Sequence, residues 1–224
     1  MSFRYILVSA LALAAPALLG IPSAALAAEQ DLSVNARLLL AARNADSAAL
    51  ARELKQGASP NARNRLGETA LLIALKKNDL GMANTMLEAG TDINLAAVNG
   101  VTPLMAAAYA GQVQMVATLL ARGADVNAVD RLKKNAMTYA AGEGHAEIVR
   151  MLLAQGVDPN RIYNNDLTAL MWAAGFGKTA TVKVLLDAGA RTDLRDNRGL
   201  TALDMAREGK HDETAKILAS ARAG

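Results

Sequence analysis

Cysteine is missing from all 224 residues. That excludes a disulfide framework, a thiol nucleophile, a cysteine zinc site and a lipidated cysteine. Aromatic residues are scarce at 3%, although apolar residues reach 52%. The core must therefore be filled with Ala, Leu, Val and Met, which suits closely packed helices better than a large sheet sandwich. Proline is sparse, at 5. An excess of one charge is lacking too: 24 basic and 21 acidic side chains leave +3. The isoelectric point near 9.3 reflects near-cancellation of opposite charges. A nucleic-acid surface would need strongly clustered Lys and Arg, so no nucleic-acid partner is expected. Histidine occurs only at His145 and His211. They stand in separate copies of the period described below, so they are expected to be structural rather than metal ligands. There is no nucleophile elbow and no phosphate loop. No catalytic residue, metal or cofactor is expected, and the chain is not expected to be an enzyme.

The first long apolar run is at the start. Met1 to Arg4 is weakly basic, and Tyr5 to Leu19 is uncharged. Pro16, Gly20 and Pro22 interrupt any helix before Ala25-Leu-Ala27, which places small residues where a signal peptidase reads them. This pattern fits a secretory signal peptide at residues 1–27, leaving a domain at 28–224. Losing Arg4 with it lowers the net charge from +3 to +2. Retention as a membrane anchor is the alternative, since the run from Tyr5 to Ala28 could span a bilayer. The leader is of bacterial style, so export is expected, to the periplasm or, alternatively, the extracellular medium. No stable membrane anchor is expected after cleavage.

A 33-residue period fills the rest. Gly67-Glu-Thr-Ala-Leu71 recurs as Gly100-Val-Thr-Pro-Leu104, Lys133-Lys-Asn-Ala-Met137, Asp166-Leu-Thr-Ala-Leu170 and Gly199-Leu-Thr-Ala-Leu203. Ala41, Ala74, Ala107, Ala140, Ala173 and Ala206 keep the same step, as do Gly57, Gly90, Gly123, Gly156 and Gly189. So do Asn61, Asn94, Asn127 and Asn160, continued by Asp193. Thr102 reads as a helix N-cap with Pro103 at the first helical position. Leu104, Ala107 and Ala108 form one helix face, and Val116, Leu119 and Leu120 form the stripe of a second helix. Gly111, Gly144 and Gly177 turn the chain between the two helices. Gly123 closes the second helix in the left-handed region.

Thr102-Pro103-Leu104, Ala107-Ala108, Gly111, Val116, Leu119-Leu120 and Gly123-Ala-Asp-Val-Asn127 resemble the ankyrin-repeat family. The resemblance covers residues 31–224. It implies an all-α repeat solenoid of stacked helix-turn-helix units with projecting β-turn or hairpin loops. The expected units are an N-terminal cap at 31–63, internal repeats at 64–96, 97–129, 130–162 and 163–195, and a C-terminal cap at 196–224. Stacking builds one continuous core from units too small to fold alone. The family's histidine after Thr-Pro-Leu is replaced by Leu72, Met105, Thr138, Met171 and Asp204, so apolar contact is expected to substitute in most repeats. Lys133 stands where the turn takes glycine, with a cost on the order of 1 kcal/mol if held at positive φ. Arg131, Lys133 and Lys134 form either a basic contact patch or a solvated loop.

The resemblance further implies binding of another protein along a concave face of loop tips and the exposed side of each first helix. By column, that face maps onto Arg65, Leu66, Glu68, Lys76 and Lys77, then Val98, Asn99, Val101 and Tyr109. Arg131, Leu132, Lys134 and Glu143 follow, then Tyr163, Asn164, Asn165, Leu167 and Phe176, and finally Asn197 and Arg198. Tyr139 and Trp172 share a column expected to pack between repeats. Tyr109, Tyr163 and Phe176 are expected to be exposed, as anchors of the kind that dominate binding energy. The expected function is a non-enzymatic protein-binding module or scaffold. The alternatives are a small-molecule-binding protein or minor enzyme using the groove, and a self-assembling structural protein.

Overall fold

The computed structural model describes residues 32–223, so the expected leader at 1–27 lies outside the described residues. Twelve α-helices follow one another, two per repeat, and the described residues contain no strand. The N-terminal cap holds α1 (Val34–Asn44) and α2 (Ser47–Lys55). The internal repeats hold α3 (Ala70–Lys76) and α4 (Leu80–Glu88), then α5 (Pro103–Tyr109) and α6 (Val113–Ala121). Next come α7 (Ala136–Glu143) with α8 (Ala146–Ala154), and α9 (Ala169–Gly175) with α10 (Thr179–Asp187). The C-terminal cap closes the stack with α11 (Ala202–Glu208) and α12 (Asp212–Ala223). First helices pack on first helices of the neighbouring repeats, and second helices on second helices except between α4 and α6, which make little contact.

From α3 onward each first helix starts on a buried polar cap. Thr69, Thr102, Thr168 and Thr201 accept a backbone N–H three residues on, at 3.2–3.3 Å, and Asn135 does so at 3.1 Å. Such a bond satisfies one of the orphan donors of the first turn. The expectation that apolar contact replaces the family histidine needs correction. Leu72 and Met105 are indeed buried apolar side chains. In the last three repeats, however, Thr138, Met171 and Asp204 accept back from the cap residue's own N–H, at 3.0, 3.4 and 3.0 Å. Reciprocal capping boxes therefore take over the turn.

The period becomes a core directly. Ala74, Ala107, Ala140, Ala173 and Ala206 are fully buried, and alanine there lets first helices approach closely. Val116, Val149 and Val182, with Leu119, Leu152 and Leu185, fill the space behind the second helices. Truncating one of these leucines to alanine costs about 2–5 kcal/mol. Leu120 is only half-buried, so the stripe of α6 is narrower than the apolar pattern implies. One carboxylate enters the cap core: Glu53 is 3% exposed and is paired with Arg37 at 2.8 Å and Arg52 at 3.3 Å.

The column that opens each second helix changes its job along the stack. Asp46 and Asp79 cap their own helices, accepting from Ala49 at 2.8 Å and Met82 at 2.9 Å. Gln112, His145 and His211 instead reach back one repeat. Gln112 Nε2 donates to the Leu75 carbonyl at 2.8 Å, His145 Nε2 to Tyr109 at 3.0 Å and His211 Nε2 to Gly175 at 3.1 Å. A carbonyl only accepts, so Nε2 carries the proton in both histidines. Both therefore join repeats. The glycine opposite is required: at Gly177, with φ +64°, a Cβ would lie 2.5 Å from His211 Nδ1.

Candidate functional site

Between helix pairs the chain projects as a finger, and one side chain organises its tip. Asn64 Oδ1 accepts from the Leu66 and Glu68 N–H groups at 2.8 and 3.0 Å. Asp130 Oδ1 does the same for Leu132 and Lys134, both at 2.8 Å. Asp196 Oδ1 repeats it for Arg198 and Leu200, at 3.0 and 2.8 Å. These three positions are two periods apart, a signal present in the sequence but not read there. Ala97 stands in this column in the 97–129 repeat, and Asn99 Oδ1 accepts from Val101 at 3.1 Å instead. Tyr163 stands in it in the 163–195 repeat and offers no such acceptor. That tip becomes a 3₁₀ turn, Asn164–Asp166, with Asn165 and Asp166 at φ +60° and +58°. Lys133 takes φ +61° as expected, so the left-handed column of Gly67, Gly100 and Gly199 is occupied by two side-chain-bearing residues in adjacent fingers.

Neighbouring fingers are stitched together twice. At the base, Asn61 Oδ1 accepts from Asp92 N–H at 2.7 Å, Asn94 Oδ1 from Asp125 at 2.8 Å and Asn160 Oδ1 from Arg191 at 2.7 Å. Asn94 and Asn160 also donate to the Gly123 and Gly189 carbonyls, at 3.3 and 3.1 Å. At the tip, Val98 N–H donates to the Leu66 carbonyl at 2.8 Å, Arg131 to Asn99 at 2.9 Å and Asn197 to Asn165 at 3.1 Å. Both stitches are missing between the 123–135 and 156–168 fingers. Asn127 Oδ1 accepts from the Arg161 side chain at 2.8 Å, not from Asp158 N–H, and Asn164 N–H does not bond the Leu132 carbonyl.

The aromatic residues gather at this seam. Tyr109 meets Tyr139 edge-on, with centroids 5.9 Å apart at 88°, and Trp172 stacks on Phe176 at 6.0 Å and 15°. Lys134 joins the two pairs, its Nζ 4.6 Å from the Trp172 centroid and 5.6 Å from that of Tyr139. Cation–π attraction of this kind is worth about 0.5–2 kcal/mol, more as water is excluded. Tyr139 Oη donates to Asp130 Oδ2 at 2.7 Å, which ties the ring to the finger. Burial, reinforced by that carboxylate, pushes the Tyr139 phenol far above its ordinary value. The Trp172 indole N–H is shielded and makes no hydrogen bond. The basic stretch divides accordingly: Arg131 and Lys133 are exposed, and Lys134 lies against aromatic rings.

Most of the remaining candidates fall at the surface. Arg65, Leu66, Lys76, Lys77, Val98, Asn99, Tyr109, Leu132, Asn164, Asn165, Asn197 and Arg198 are exposed, with Leu66, Leu132 and Tyr109 at 64, 56 and 46%. Glu143 and Phe176 are half-buried, as are Val101 and Leu167, which lean on the core. Glu68 is held by Lys76 at 2.7 Å. Burial alone would raise its carboxyl, but Lys76 and Asn64 outweigh that and keep it low. Arg198 pairs with buried Asp196 at 2.8 Å. Tyr163 corrects an expectation of exposure. It is 8% exposed, covered by the Arg161 guanidinium, with its hydroxyl beside Asn135 but without a well-formed bond. Burial pushes its phenol up to about 12. It cannot anchor a partner directly; its ring stands where Asn64, Asp130 and Asp196 supply the acceptor that shapes three other fingers.

A shallow depression bordered by Lys183, Leu186, Lys216 and Ile217 lies between α10 and α12, away from this face, and converges no polar cluster. Among the described residues, no group of three or more His, Asp and Glu side chains is placed to hold a metal ion. No helix of the described residues is long and apolar enough to cross a membrane.

Paired helices in 33-residue register, a shared core and stitched fingers define an all-α repeat stack. A family model described as ankyrin repeats, in three copies, matches residues 38–130, 86–163 and 137–224, and the chain belongs to that family. Ankyrin repeats generally mediate protein–protein interaction. No curated protein matches the chain.

Proposed function

We propose that this chain is a non-enzymatic protein-binding module, acting in the periplasm through the face built by its finger tips and first helices. The observation that carries this is the aromatic row at the seam. Tyr109, Tyr139 and Trp172 lie on three successive first helices, Phe176 follows the last of them, and Lys134 bridges Tyr139 and Trp172. A fold that needs aromatics only for its core has no reason to leave Tyr109 46% exposed. Large, rigid aromatic surfaces beside cations are the groups that supply most of the energy in protein interfaces. Leu66, Val98 and Leu132 extend the apolar surface along the tips. The leader pattern supports export, and with it a partner outside the cytoplasm.

The test is a crosslinking pull-down from the periplasm with the wild-type chain and with Tyr109→Ala plus Phe176→Ala, both checked by circular dichroism. A partner captured by the wild type should be lost from the folded double variant; equal recovery would overturn this face. Mass spectrometry of exported chain should find Ala28 first, and an intact Met1 would refute cleavage.

A further inference from the structure

Every finger interface but one is closed by the chain's own backbone, and the exception has a definite chemistry. At the seam the Leu132 carbonyl and the Asn164 N–H are left without the bond their equivalents make, and both residues are exposed. The helices beneath remain packed, α7 on α9, so the repeats themselves have not separated. Only the backbone bonds between the fingers are missing, and the Arg161 side chain still crosses to Asn127 at 2.8 Å. An unmade donor and acceptor at successive tips form the hydrogen-bonding pattern of a strand edge, which an extended chain completes.

The charge at the seam has one sign on the side of the 123–135 finger. Arg131, Lys133 and Lys134 make no ion pair among the described residues. The adjacent carboxylate, Asp130, is 5% exposed and occupied by Leu132, Lys134 and Tyr139. Asp166, across the seam, is exposed and forms no ion pair with them. Lys134 is held by the faces of Trp172 and Tyr139, which fix its ammonium without neutralising it. Elsewhere on the face Lys76 is answered by Glu68 and Arg198 by Asp196, while Arg65 and Lys77 are single exposed cations without an ion pair among the described residues. Three unpaired cations in four residues, Arg131, Lys133 and Lys134, thus stand beside the unbonded backbone groups.

We propose that the seam between the 123–135 and 156–168 fingers receives an extended acidic segment of the partner protein, its backbone bridging Leu132 and Asn164 and its carboxylates on Lys134 and Arg131. This rests on the protein-binding reading above and gives that partner its chemistry. The aromatic row then flanks the segment, with Trp172 under the charged pair.

Trp172 is the chain's one tryptophan, so its emission reports the seam directly. A random dodecapeptide phage library panned on the full chain should enrich segments bearing Asp and Glu, and those peptides should shift Trp172 emission saturably. Lys134→Gln should weaken them at least about tenfold, as loss of a charge-assisted bond does, and Lys134→Arg should recover most of the affinity. Selected peptides without acidic residues, or retention of single-stranded DNA with no acidic peptide selected, would overturn the assignment. If the natural partner is lost from Tyr109→Ala plus Phe176→Ala yet kept by Lys134→Gln, the seam is refuted and the binding face stands. If both variants keep it, both readings fall.

Discussion

The two finger interfaces on either side of Tyr163 are built from the same columns and behave differently. Toward the C-terminus, Asn160 holds Arg191 and Gly189, and Asn165 receives Asn197. Toward the N-terminus, Asn127 holds only the Arg161 side chain, and the tips of the two fingers do not bond. First-helix packing continues across both. Period and core therefore do not fix the fingers. Three fingers take their tip from the acceptor of Asn64, Asp130 or Asp196, and where Tyr163 stands in that column the tip is a 3₁₀ turn without loss of the fold. Departures from a local rule that leave the global fold intact are where function is to be sought.

The largest expected difference lies in the left-handed column. At the stitched tip, a Cβ on Gly100, with φ +84°, would come 2.8 Å from Asp130 Cα and 3.1 Å from Arg131 N. Gly100→Ala should then cost about 2–4 kcal/mol, combining backbone strain with a collision against a neighbouring finger. Lys133 already carries its Cβ in that conformation beside the open seam, so Lys133→Ala should be near neutral and Lys133→Gly should stabilise by up to about 1 kcal/mol. Urea midpoints of the three variants check this. Equal losses at Gly100 and Lys133 would erase the distinction between the two tips.

The asparagine ladder comes next in size. Asn160→Ala removes two hydrogen bonds to the following finger and should cost about 1–2 kcal/mol. Asn127→Ala removes one exposed side-chain contact and should cost no more than about 0.5 kcal/mol. Thermal unfolding of the pair gives the answer. A loss at Asn127 as large as at Asn160 would mean that the seam is stitched in solution.

Much of this was legible in the residues, and the misses share a cause. The 33-residue register, the Thr and Asn caps, the helix-closing glycines and the strained Lys133 are all properties of single positions under backbone sterics, which a sequence displays. Exposure of Tyr163 was expected from its place in a column assigned to the binding face, a column that also holds Asn64, Asp130 and Asp196. Those residues are polar because they sit inside the finger and accept its N–H groups, so the column is inward-facing. The replacement of the family histidine was misread for a similar reason: Asp204, Thr138 and Met171 look unrelated, yet each presents an acceptor to the same cap N–H. Parting of the fingers needs several bonds to be compared at once and leaves no mark on any one residue. The leader lies outside the described residues, so export rests on the sequence alone.

Acid should separate the fingers by the smallest but most selective effect. Burial works to raise the Asp196 carboxyl. The Leu200 N–H, then the Arg198 side chain and N–H, overcome it and hold the carboxyl below its ordinary value. A carboxyl lowered in the folded state adds stability above its unfolded value of about 4 and loses it as pH falls through the folded one. The 189–201 finger should therefore loosen below about pH 4, its Arg198 and Leu200 amides losing protection from hydrogen exchange. The 156–168 finger has Tyr163 in that place, with a phenol neutral to about pH 12. Its Leu167 amide, which donates to Asn164 rather than to a carboxylate, should exchange with no added acid sensitivity. Native-state exchange followed by NMR between about pH 6 and 3 makes the comparison within one molecule. Parallel acid loosening of both fingers would show that the buried acceptor is not what sets a finger's shape.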